Sequence, residues 1–209
     1  VISADINWLS IENITANNIN WLDFPTYTDD YYLRATGTGV AFEAVAGGSG
    51  GNFFWVLQPQ QAKLPATNPM AIDAGNARWR GLFDDTTAES ATWEGVLQPF
   101  PSGTLKAKLF YSMASATEGT VEFEISIDCF SDADAADFDT ASFGTVDSVT
   151  ATVPGTAGYI DVLADTSLNG DSCAEGDLIV VQIARDADDE TNDTATGDAE
   201  LRKVIIYAE

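Results

Sequence analysis

Apolar and polar side chains alternate without a break in the run Val121-Glu122-Phe123-Glu124-Ile125-Ser126-Ile127-Asp128-Cys129. A period of two puts Val121, Phe123, Ile125, Ile127 and Cys129 on one face and Glu122, Glu124, Ser126 and Asp128 on the other. This predicts a β-strand with one face in a core and the other in water. The run from Leu105 to Tyr111 alternates in the same way and sets Lys106 and Lys108 on its polar face, where they would oppose Glu122 and Glu124 if the two strands were antiparallel neighbours. Further short runs separated by turn residues fall at 53–57, 79–83, 91–97, 146–153, 159–164, 178–183 and 201–207. No window keeps a helical period over three turns, and 131–139 is the one helix candidate, with an acidic loop as its alternative. About nine strands predict an all-β fold, an antiparallel β-sandwich of the jelly-roll type, because a propeller would need periodic blade repeats.

The N-terminal stretch has a different character. Ile6-Asn7-Trp8-Leu9 returns 13 positions later as Ile19-Asn20-Trp21-Leu22. A repeated apolar unit this short cannot bury its own face. Ile6, Trp8, Leu9, Ile19, Trp21 and Leu22 are therefore expected to dock on copies of the chain or on another protein, and a homotrimer is the expected assembly. Tyr31 to Glu43 reads as a hairpin around Thr36-Gly37-Thr38-Gly39, and Gly47-Gly48-Ser49-Gly50-Gly51 has the composition of a flexible linker. The predicted organisation is an irregular docking and oligomerisation segment over 1–46, a linker over 47–51 and a jelly roll over 52–209.

Charge and composition narrow the function classes. With 33 acidic and 9 basic side chains and no His, the formal charge is −24. Binding nucleic acid through a basic face is excluded by that balance, whereas 45% hydrophobic residues suffice for a core. The absence of His removes the commonest general base and most transition-metal sites. Carboxylate pairs could serve a glycosidase, but among 33 acids no spacing singles out a pair, so no enzyme and no cofactor are expected. Cys129 and Cys173 have no CxxC spacing, and two unpaired buried thiols are the expected reading, with a disulfide as the alternative. No apolar run approaches the ~20 residues that span a bilayer, and Val1 opens no basic segment leading into an apolar one, so neither membrane insertion nor an export signal is expected.

The densest acidic stretch holds Asp186, Asp188, Asp189, Glu190, Asp193 and Asp198. It fails the EF-hand pattern because Glu190 follows Asp186-Ala187-Asp188-Asp189 where Asp or Asn is needed, and no glycine comes until Gly197. The expected reading is a solvated loop with Arg185 paired to one Asp. A Ca²⁺ site of Asp186, Asp188, Asp193 and Asp198 is the alternative. Trp55, Trp79 and Trp93 would stack on sugar rings if exposed, although tryptophans in strand-like contexts are expected in a core or a subunit contact.

Asp73 to Glu89, Leu97 to Leu105, Ser115 to Val121, Ala184 to Asp189, Thr196 to Ala199 and Val204 to Tyr207 together resemble a domain found in structural proteins of tailed bacteriophages. Tyr32 to Val45 is similar to the short β-turn units that precede the distal domains of phage tail fibres. The resemblance implies a virion component at the particle surface, a fibre or capsid-decoration protein that mediates attachment or reinforces the particle. Its implied partners are itself as a trimer, other virion proteins and a host-surface glycan. A secreted carbohydrate-binding β-sandwich is the alternative.

Overall fold

The computed structural model of the chain describes residues 31–36, 39–44, 54–97 and 104–208, without positions 133, 136, 141, 164, 165 and 171. Ile6, Trp8, Leu9, Ile19, Trp21, Leu22 and the Gly47 to Gly51 stretch lie outside the described residues. The chain divides into two units, Val1–Ser49 and Gly50–Glu209. In the first, β1 (Tyr31–Thr36) and β2 (Gly39–Ala44) form an antiparallel hairpin with Thr36 opposite Gly39.

The second unit holds β3 (Phe54–Leu57), β4 (Ala71–Asp73), β5 (Arg80–Phe83), β6 (Glu89–Val96), β7 (Leu105–Met113), β8 (Thr120–Phe130), β9 (Asp147–Thr152), β10 (Asp161–Val162), β11 (Thr166–Ser167), β12 (Leu178–Arg185) and β13 (Ala199–Ala208). Seven of these make one sheet in the order β10-β7-β13-β5-β4, with β11 also pairing β7 and β3 also pairing β13. The other sheet runs β6-β12-β8-β9. All the strand pairings are antiparallel. The fold is a jelly-roll β-sandwich, and among the described residues its only helical pieces are 3-10 turns at Pro59–Gln61 and Gly75–Ala77. No helix among the described residues is long and apolar enough to cross a membrane.

Period-two burial builds the core. Leu105, Ala107, Leu109, Tyr111 and Met113 of β7 face inward with Val121, Phe123, Ile125 and Ile127 of β8 and Ile179, Val181 and Ile183 of β12. Phe123 is packed edge-on by Phe83 and Tyr111, with ring centroids at 5.9 and 5.6 Å, so the two sheets are keyed by aromatic contact as well as by aliphatic burial. In β13 the register shifts between Leu201 and Lys203. This bulge turns Leu201 and Val204 inward while Arg202 and Lys203 stay outside.

Three expectations are corrected. β7 and β8 belong to different sheets, so Lys106 and Lys108 do not oppose Glu122 and Glu124. The polar face of β8 is not in water, since Glu122, Ser126 and Asp128 are buried. Loop residues cover it: Ser142 donates its N–H to the Asp128 carboxylate at 3.0 Å, and a carboxylate oxygen of Asp189 lies within 4.8 Å of one of Glu122. Finally, Cys129 and Cys173 form a disulfide across Cα atoms 5.5 Å apart, joining the end of β8 to the loop before β12. A separation of 44 residues carries no signal of pairing, because the loops that bring the two together are set by the tertiary fold. The described residues of the 131–139 stretch lie in turns and irregular loop, with no helix among them.

Candidate functional site: a basic groove beside Trp79

A groove of about 430 Å³ is lined by Gln58, Gln60, Arg78, Trp79, Gly158, Ile160, Arg202 and Lys203. Four pieces of chain build it. Gln58 and Gln60 come from the turn after β3, where Trp93 Nε1 donates to the Gln58 carbonyl at 2.9 Å and Gln60 Nε2 donates to Gln58 Oε1 at 3.0 Å. Arg202 and Lys203 come from the β13 bulge. Gly158, at φ 78°, donates its N–H to the Met113 carbonyl at 2.9 Å and turns the chain so that Tyr159 and Ile160 lie exposed.

Arg78 and Trp79 leave the 3-10 turn through Asn76 and Ala77, both left-handed at φ 53° and 58°. For Ala77 this conformation is strained, and it persists because the flanks are fixed. Arg80 is the fixed point. Its Nε and Nη2 donate to Asp73 Oδ2 at 2.8 and 2.6 Å, and its Nη1 donates to Glu200. A Cβ on Gly75 would stand 2.8 Å from the Arg80 guanidinium, so glycine is what lets the turn close over the ion pair. The hydrogen bonds from Arg80 hold the Asp73 carboxyl below the usual carboxylate range. Arg202 in turn donates to Glu200 at 2.5 Å and to Ser112 at 3.0 Å. Arg80 and Arg202 are therefore balanced by Asp73 and Glu200, and Arg78 and Lys203 remain as surplus positive charge at a groove with no acidic lining residue.

Trp79 is 50% exposed, whereas Trp93 is 2% exposed and belongs to the core. Trp55 is half-buried, close beside Gly95. The structural reading of the tryptophans thus holds for Trp93, and Trp79 departs from a core placement. Period-two patterning places Trp79 at the head of a strand, but only the turn before it decides that its ring faces outward.

The acidic stretch resolves into separate groups. Arg185, at 0% exposure, donates Nε and Nη2 to Asp193 at 2.8 and 2.7 Å, which is the expected pairing to one Asp. Asp198 lies with Asp84 and Asp85. Asp186 lies instead with Glu122 and Asp189, one carboxylate oxygen of each falling within 4.8 Å of the others. The set Asp186, Asp188, Asp193 and Asp198 is therefore not brought together. Sequence reasoning missed Glu122 because alternation alone places it in water. Burial pushes the Glu122 carboxyl up, and a hydrogen bond with Asp188, followed by burial, raises Asp186 to about 6. Backbone N–H donors from Thr191 and Asn192 hold Asp189 down.

No family model and no curated protein matches the chain. Among solved structures it is similar to a carbohydrate-binding module of family 36 in complex with calcium and xylotriose, with 13% identity and a TM-score of 0.41 over 73% of this chain and 98% of that one. A C-terminal family 6 module of a laminarinase from Zobellia galactanivorans gives 11% identity and a TM-score of 0.41 over 74% and 98%. A family 11 module from Clostridium thermocellum, in complex with a mixed-linked tetrasaccharide, gives 10% and 0.36 over 74% and 88%. Likeness at this level tells nothing about a ligand of this chain.

Proposed function

We propose that the Gly50–Glu209 sandwich is a non-catalytic glycan-binding module whose groove takes an anionic oligosaccharide. The observation that carries this reading is the half-exposed Trp79 ring set among Arg78, Lys203 and the two glutamine amides. An indole face offers a sugar ring an apolar platform, and amides and guanidinium groups are donors suited to hydroxyl and carboxylate oxygens. Charge chooses the class. In a chain of formal charge −24, long-range repulsion disfavours an acidic ligand everywhere except where cations are gathered without acids, and this groove is such a place. Calorimetry against uronate-containing and neutral oligosaccharides of equal length tests the reading. Binding should favour the acidic series, and Trp79→Ala should weaken it about tenfold, the equivalent of ~1.4 kcal/mol. Equal binding of both series, or binding indifferent to Trp79, would overturn it.

Display on a bacteriophage particle belongs to the same proposal. The resemblance of Asp73 to Glu89 and of the later segments to phage structural domains supports it, and a fibre or decoration tip that engages host-surface glycan would use such a groove. Peptides of this chain in purified particles, and a trimer in native mass spectrometry, are the expected findings. Clean particles lacking the chain would remove the virion placement, and a monomer at micromolar concentration would remove the trimer.

A further inference from the structure

We propose that Glu122, Asp186 and Asp189 bind one divalent cation and that Ca²⁺ is the ion their chemistry selects. Glu122 stands on the outer face of β8, and Asp186 continues β12 directly alongside, its N–H on the Glu122 carbonyl. Asp189 follows in the same loop, its own N–H donating to the Asp186 carbonyl at 3.2 Å. One carboxylate oxygen from each lies within 4.8 Å of the other two. A Ca²⁺ ion held about 2.3–2.6 Å from every ligand keeps opposite oxygens about 4.6–5.2 Å apart, so the three oxygens fit one coordination sphere.

Three acids on a loop would by themselves be a solvated patch. Glu122 is what that reading does not accommodate. It is 5% exposed, and its Oε2 has no hydrogen-bond donor among the described residues. Buried carboxylates are paired, protonated or bound to metal. The neighbouring cation, Arg185, is already fully engaged by Asp193 and by backbone carbonyls. Asp189 can accept from the loop and still ligate, since each of its oxygens has a second lone pair. The donor set is hard oxygen throughout. The chain has no His and both its Cys are in the disulfide, which disfavours Zn²⁺ and Cu²⁺, and the uneven spacing of a loop suits the flexible Ca²⁺ sphere better than the strict Mg²⁺ octahedron. The bound ion would pin the 186–193 loop onto β8 and with it the Asp193 carboxylate that holds Arg185.

The test uses the full chain after chelator treatment, with calorimetric titration and melting in CaCl₂ against NaCl at matched ionic strength. One Ca²⁺ per chain and a Ca²⁺-specific rise in Tm of several degrees are expected. Asp186→Asn and Asp189→Asn should each abolish the rise. Glu122→Gln removes the buried charge, so it should melt no lower than the parent without Ca²⁺ and should no longer respond to it. Asp84→Asn, in the other acidic group, should respond as the parent does. A Tm that follows ionic strength alone overturns the proposal, as does a Ca²⁺ response that survives Asp186→Asn and Asp189→Asn or disappears in Asp84→Asn.

Discussion

Arg185 is a charged residue in the position of a core residue, and every one of its five N–H donors is used. Besides the two bonds to Asp193, Nη1 reaches the carbonyls of Phe83 at 3.3 Å and Gly197 at 2.9 Å, and Nη2 reaches that of Ala195 at 2.8 Å. One side chain thus ties the end of β12 to β5 and to the loop that enters β13. The pair is a poor source of net stability but a costly thing to break, because the surviving partner is left charged and buried. Arg185→Met and Asp193→Asn should each cost about 3–5 kcal/mol in urea unfolding, and Arg185→Lys should recover little, since an ammonium cannot reproduce the fork. A loss below about 1 kcal/mol in both would show that the network is not structural. Tyr111 makes a second prediction. Burial and the Asp161 carboxylate, to which its hydroxyl donates at 3.2 Å, push its phenol well above the ordinary value of 10.0. Above that ordinary value the unfolded state loses this proton and the folded state keeps it, so stability falls as pH rises. Tyr111→Phe should flatten this alkaline limb in melts from about pH 9 to 11 while lowering stability slightly at neutrality.

At the scale of elements, the disulfide closes a loop of 44 residues that spans β9, β10 and β11. Chain entropy for such a loop corresponds to about 4 kcal/mol, so Cys129→Ser with Cys173→Ser should lower unfolding free energy by about 3–4 kcal/mol at unchanged β content. A drop well below this would mean that the unfolded chain is already compact around those strands. Strands that bury one face were legible in the sequence: alternation marks β7, β8, β12 and β13 to within a few residues. The assignment of strands to sheets was not, because Lys106 and Glu122 look complementary in one dimension and part company only when β7 pairs with β13 and β8 with β12. β4 and β11, of three and two residues, are too short to show a period. The β13 bulge left one trace, the spacing of three between the inward residues Leu201 and Val204. The groove was invisible for a related reason: its walls are turns and a bulge, and no repeating pattern announces where a turn aims Trp79.

Across the whole molecule, a formal charge of −24 on 209 residues means that folding brings like charges together. Added salt screens this repulsion, with a Debye length of about 10 Å at 0.1 M falling to about 3 Å at 1 M. Salt should therefore raise Tm, even though it also weakens exposed ion pairs such as Asp73 with Arg80, because the repulsive pairs far outnumber the nine basic residues that could offset them. The groove should respond in the opposite sense. There Arg78 and Lys203 attract an anionic glycan against the field of the remaining protein, so screening removes a short-range attraction together with a weaker long-range repulsion, and affinity should fall as salt rises. Melting and calorimetric titration over the same NaCl series separate the two effects. The expected result is stability rising while affinity declines, with Lys203→Ala reducing the salt dependence of binding and leaving that of Tm almost unchanged. Affinity that rose with salt in step with Tm would mean that salt acts on binding only through the fold, and the groove would then hold no electrostatic site.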